Sequence, residues 1–297
     1  MKFNKVFFWR ILIWLILPIM LLNLLLEILK PSVEKKIIKH LKENQIEAKF
    51  KIARLSPTTF RINSLSFFFK DLLLGLDANT LSGKLSIANL IRGKLLITGT
   101  IVAYAGEIDY QVDLIKNNNS LIASASARNL HLTTHPHSKL LGITAGILDF
   151  TANKLNFNKQ SLVDGQLIVR VADFAFYNPA LGYLIGKLSP LLQRITLPPL
   201  SGAEINLNLR FAMEGIKEIN GDLRSPLLDL SMNGSIVGSH KDYSRKNLNL
   251  NLQIKGSKQL LKAFGIKLED IGLKEGEPIY LTIKGTPSIP TISFGKN

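Results

Sequence analysis

Asn247-Leu248-Asn249-Leu250-Asn251-Leu252-Gln253-Ile254-Lys255 is the stretch that decides the fold. Polar and apolar residues alternate through every position, and only a β-strand sends successive side chains to opposite faces. Leu248, Leu250, Leu252 and Ile254 therefore share one face, and the Asn, Gln and Lys side chains share the other. A strand with one apolar and one wet face belongs to an antiparallel sheet, because parallel sheets are covered on both sides and read as continuous apolar runs. The same alternation recurs in Glu204 to Arg210 and in Pro278 to Lys284, so the chain is mainly β.

Weaker alternation fills the interval from Ser64 to Ile236, including predicted strands at Thr80 to Ile87 and Lys94 to Tyr104. Asp77-Ala78-Asn79, Asp164-Gly165, Asn220-Gly221-Asp222 and Asn233-Gly234 read as turns, since these residue types tolerate positive φ or form Asx turns. Gly83 and Gly99 mark similar punctuation. The expectation is an up-and-down chain of on the order of 14 strands.

The segment ahead of the strands is of another kind. Val6 to Leu29 (VFFWRILIWLILPIMLLNLLLEIL) is almost wholly apolar, and its 24 residues at about 1.5 Å each make roughly 36 Å of helix. That is enough to cross a bilayer core of about 30 Å. Trp9 and Trp14 are interfacial anchors beside Arg10, and Glu27 falls within reach of the opposite interface, which leaves Asn23 as the awkward polar residue. Asn23 and Glu27 lie four residues apart on one helix face, suited either to a solvated interface or to contact with another membrane helix. A cleaved signal peptide would have a shorter apolar run and a small-x-small site, whereas this run ends in Leu26-Glu27-Ile28-Leu29-Lys30. Lys2 and Lys5 favour a cytoplasmic start, although Lys30, Lys35, Lys36, Lys39 and Lys42 beyond the far end pull the other way.

Three parts follow: a cytoplasmic start and transmembrane anchor at 1–30, a membrane-proximal amphipathic helix at 31–45, and an extracytoplasmic β-rich domain at 46–297. Pro31 is expected to break or redirect the helix. Ser32 to Asn44 resumes helical spacing with Val33, Ile37, Ile38 and Leu41 on one side. Its Lys-rich face suits headgroups, and packing onto the first strands would produce the same pattern.

The formal net charge is +15, and ten Lys or Arg fall between Lys30 and Lys70 against Glu34, Glu43 and Glu47. Anionic headgroups and a solvated basic face both account for this. Nucleic acid is excluded as a partner, since no module interleaves basic residues with exposed aromatics. The chain has no cysteine, so disulfides, thiolate chemistry and cysteine-ligated metals are ruled out.

Two further helical segments interrupt the strands. Pro179 to Ile195 places Leu181, Leu184, Ile185, Leu188 and Leu191 at helical spacing, and Ser257 to Phe264 is a shorter example. Such helices either cap an open end of the core or form a lid over an apolar groove.

No catalytic constellation is present. His131, His135 and His137 share strand parity and are the one local metal candidate, but an exposed polar strand end explains the cluster adequately and no metal is expected. The acid pairs Glu269-Asp270, Glu275-x-Glu277 and Glu107-x-Asp109 read as solvated. No cofactor is expected, since no Gly-rich turn joins a strand to a helix.

The ending Ile279-Tyr280-Leu281-Thr282-Ile283-Lys284-Gly285-Thr286, followed by Pro290 and Thr291-Ile292-Ser293-Phe294, resembles that of AsmA-like proteins. Within them it is most similar to protein N of the type II secretion system, in the form found in spirochaetes and deltaproteobacteria. The resemblance implies an inner-membrane protein with a curved periplasmic β-sheet forming a groove, and it brings no catalytic residues. Two functions follow from it. The first is a non-enzymatic accessory component of type II secretion, with the bilayer and other secretion proteins as partners. The second is lipid binding or transfer, with phospholipid or another acyl-chain ligand in the groove.

Overall fold

A computed structural model describes residues 5–43, 46–69, 74–115, 120–135, 138, 142–158, 161–177, 199–238, 245–256 and 277–295, with the backbone alone for 5–22, 69, 74, 115, 161, 294 and 295. The alternating pattern becomes fourteen strands, and every described pairing within the units below is antiparallel. The chain packs as two compact units, Met1–Ala103 and Tyr104–Asn297.

In the first unit, helix α1 (Lys5–Glu43) leads into β1 (Ile46–Leu55), β2 (Thr59–Phe69), β3 (Leu74–Leu85), the one-turn helix α2 (Ile87–Ile91) and β4 (Lys94–Ala103). The strands pair in chain order, and Ile52, Leu65 and Ala103 are buried. Pro31 does not break the helix as its sequence suggests, since α1 runs through it unbroken. An interior proline loses one helical hydrogen bond and costs about 3 kcal/mol. Contacts on either side of it hold the helix to β1: the Lys30 ammonium donates to the Ala53 carbonyl at 2.8 Å, and the Ile52 N–H donates to Glu34 Oε1 at 2.6 Å. Lys30 also pairs with Glu27. The helical segment after Lys30 therefore packs on the first strand, the second of the two arrangements its pattern allowed.

Among the described residues no helix is long and apolar enough to cross a membrane. The side chains of most of the expected anchor, Trp9 and Trp14 included, lie outside them.

The second unit is an antiparallel meander of β5 (Gly106–Ile115), β6 (Ser120–His131), β7 (Ile143–Asn158), β8 (Ser161–Phe176), β9 (Leu200–Ala212), β10 (Gly215–Arg224), β11 (Leu228–Val237), β12 (Asn247–Gly256), β13 (Ile279–Thr286) and β14 (Ile289–Gly295). Each strand pairs with the next. Among the described residues β5 and β14 do not pair with each other, so this sheet is unclosed.

Several predicted turns are strand interiors. Asp77-Ala78-Asn79 lies within β3, Asp164-Gly165 within β8, Asn220-Gly221-Asp222 within β10 and Asn233-Gly234 within β11. Gly83 pairs with Gly99 across β3 and β4. A glycine also suits a strand where a neighbouring backbone comes too close for a side chain, which local sequence does not reveal.

Irregular positions concentrate in β6, β7 and β8. Asn129, Lys154 and Asp173 have φ of 58°, 45° and 51°, and each sits at a register shift. A bulge leaves a backbone group outside the ladder and increases local twist. At Asn129 a side chain supplies the missing partner, for its N–H donates to Asp149 Oδ1 at 2.7 Å. Asp149→Ala is expected to lower stability by about 1 kcal/mol, read by urea denaturation, with Asp149→Asn retaining most of it.

Candidate functional site: the apolar sheet face

The register aligns the alternating positions of the second unit into rows. One row runs Leu167, Leu209, Ile219, Gly234, Leu250, Ile283 and Ile292 from β8 to β14. A second runs Val171, Ile205, Leu223, Leu230, Ile254 and Ile279 from β8 to β13. On β5 to β7 the face continues through Tyr110, Ala125 and Ala152, and through Ile108, Ala127 and Phe150. Ten strands at about 4.8 Å spacing make this face roughly 43 Å wide.

Leu250, Leu252, Leu281 and Ile283 are only half-buried, while Asn247, Asn249, Asn251, Gln253 and Lys255 on the reverse are exposed. Among the described residues the second unit contains no second sheet, so no second β-layer is stacked on the apolar rows. Leaving apolar area in water costs about 25 cal/mol per Å². A face of this width favours an apolar cover.

The reverse face has a different chemistry. A hollow of about 250 Å³ over β10 to β12 is lined by Asp222, Arg224, Asp229 and Lys255 together with Ser231 and Gln253. Arg224 lies 3.6 Å from Asp222, whose carboxylate also accepts from Asn206 at 3.0 Å. Two acids and two bases cancel, so the hollow selects neither anions nor cations. Glu107 and Asp109 also point to this face, opposite Arg128 and Ser126, in keeping with the solvated reading of that acid pair.

Single groups within the unit have structural roles. Lys246 is 4% exposed, and its ammonium donates to the Glu214 carbonyl at 2.6 Å beside Gly215. Burial raises the Tyr110 phenol above its ordinary value, so the hydroxyl on the apolar face stays neutral.

The histidine cluster does not keep the parity its spacing suggested. His131 ends β6, a 3₁₀ turn occupies Leu132–Thr134, and the His135 ring lies 5.1 Å from that of Tyr104. The turn rotates the chain between them, and His137 lies outside the described residues. No group of three His, Cys, Asp or Glu is placed to hold a metal among the described residues.

Leu181, Leu184, Ile185, Leu188 and Leu191 fall outside the described residues, as does the segment Ser257 to Phe264. Asn23 is half-buried on α1, and Glu27 is engaged by Lys30. Sequence reasoning missed α2, although Ser86 with Asn89 and then Gly93 is a helix start and stop signal. Ser86 Oγ accepts from the Asn89 N–H at 3.4 Å and from its side-chain amide at 2.9 Å.

Compared with known proteins, the chain matches no protein-family model, no curated protein and no solved structure.

Proposed function

We propose that this is a non-enzymatic lipid-binding protein, anchored in the bacterial inner membrane by Val6 to Leu29, whose β-sheet holds acyl chains in an AsmA-like groove on the periplasmic side. The observation that carries this reading is the apolar face of β5 to β14, half-buried on one side of a sheet whose other side is polar. Acyl chains suit it because they need area and no directed hydrogen bonds. Ala123 and Ala125 lie opposite Val112 and Tyr110 on this face and leave room there.

The test is native mass spectrometry of the full chain purified from membranes in mild detergent. Bound acyl lipid is expected on the wild type, and Ala125→Trp is expected to reduce its occupancy several-fold while circular dichroism stays unchanged. Lipid-free wild-type protein would overturn the reading.

A role as an accessory of type II secretion is the second reading, supported by the far end of the sheet. Among the described residues β14 pairs only with β13, and Ile289 and Ile292 are 78% and 56% exposed. An unpaired edge accepts an added strand from another protein. This reading requires secretion components to co-purify with the chain and export to fail in its absence.

A further inference from the structure

We infer that α2 is a second membrane contact, a one-turn apolar tip that enters the headgroup layer of an anionic bilayer beside the anchor helix. The inference rests on the anchoring proposed above and goes beyond it. Ile87, Leu90 and Ile91 are 53%, 49% and 82% exposed, so this five-residue helix turns its largest apolar side chains to solvent. A loop tip gains nothing from that in water. The same three residues are stabilised by any apolar medium they reach.

The topology of the first unit says which medium. Lys30 bonds Ala53 and Glu34 bonds Ile52, so α1 runs antiparallel to β1. β1 ends at Leu55, two residues past Ala53 and therefore about 7 Å further along. At 1.5 Å per residue α1 passes that level near Leu25, and the 20 residues from Lys5 to Leu24 then extend about 30 Å beyond the end of the sheet. This equals the thickness of a bilayer core of about 30 Å. The β3–β4 connection carrying α2 lies at the same end, because the Leu85 N–H donates to the Thr58 carbonyl at 2.7 Å and joins it to the β1–β2 turn. A bilayer crossed by the apolar half of α1 meets α2 as its surface.

Charge agrees with that placement. Arg54, Arg61, Lys84, Arg92 and Lys94 are exposed around this end, and neither 53–66 nor 84–101 contains an acid. Cations around an apolar tip match anionic headgroups above an acyl layer.

The chain has no cysteine, so single labels can be placed in the full-length protein. Ile91→Cys, Lys49→Cys and Leu15→Cys would each carry an environment-sensitive fluorophore. Each would be reconstituted into phosphatidylethanolamine–phosphatidylglycerol vesicles containing lipid-borne nitroxide quenchers. Label at position 91 is expected to be quenched several-fold more than label at 49 by a nitroxide near the headgroups, and less so in phosphatidylcholine vesicles. Quenching at 91 no greater than at 49, with position 15 quenched by a mid-bilayer nitroxide, overturns the inference and leaves the anchor standing. Absence of quenching at 15 overturns the anchor and this inference together.

Discussion

Gly234→Ala is expected to destabilise the second unit by about 3 kcal/mol or more. The residue lies in the interior of β11, opposite Leu250 of β12. A Cβ there would sit 2.0 Å from the Asn249 carbonyl oxygen and 2.8 Å from the Leu250 Cα, both backbone atoms with no rotamer to yield. The strands must separate to admit it, which loosens the ladder on both sides of the substitution. Thermal denaturation followed by circular dichroism reads the effect. Ser231→Ala on the exposed face of the same strand is the control and should stay within about 0.5 kcal/mol of wild type. A Gly234→Ala protein as stable as that control would show that β11 and β12 do not approach this closely.

Glu34→Ala is expected to cost about 1–3 kcal/mol, because it leaves a buried donor without its acceptor. Ile52 is only 6% exposed, and its N–H is held by a carboxylate oxygen at 2.6 Å. Bonds to charged acceptors are among the stronger ones in proteins. The substitution also uncovers the edge of β1 at an irregular point, since the register with β2 shifts between Ile52 and Arg54. An uncovered edge pairs with other chains, so slow self-association should accompany the loss of stability. Glu34→Gln keeps an acceptor oxygen and should retain most of the stability. Hydrogen exchange at the Ile52 amide separates the cases, with fast exchange in the alanine variant and slow exchange in wild type.

The two edges described here are treated differently. At β1, Lys30 and Glu34 of α1 occupy two of the backbone groups that an added strand would use, the Ala53 carbonyl and the Ile52 N–H. At β14 the exposed residues are Ile289, Pro290, Thr291, Ile292 and Ser293, with no charge and one proline to discourage pairing. This difference is why the reading as a secretion component rests on β14.

Alternation along a strand is a local property, and it was legible wherever it was regular. β9, β12 and β13 follow from Ile205-x-Leu207-x-Leu209, Leu248 to Ile254 and Ile279-x-Leu281-x-Ile283. Antiparallel pairing follows from their one-sided polarity, and a count near fourteen follows from the number of such segments. The apolar face was legible for the same reason, because a period of two allots every second residue to it.

What depended on distant residues was not legible. Asn233-Gly234 has the composition of a turn, but Leu250 and Asn249 of the next strand make it a strand interior that only glycine fits. Pro31 has the composition of a break, but Ala53 and Ile52 hold the helix on both sides of it. The outward position of Ile87, Leu90 and Ile91 depends on where β3 ends relative to α1, a relation set by pairing across more than fifty residues of chain. The sequence alone determined the period of the chain and hence its one-sided sheet, because side-chain alternation needs no partner. The tertiary structure decided where strands end, which edge is covered and which apolar tip is exposed, because each requires a contact between residues that are not neighbours.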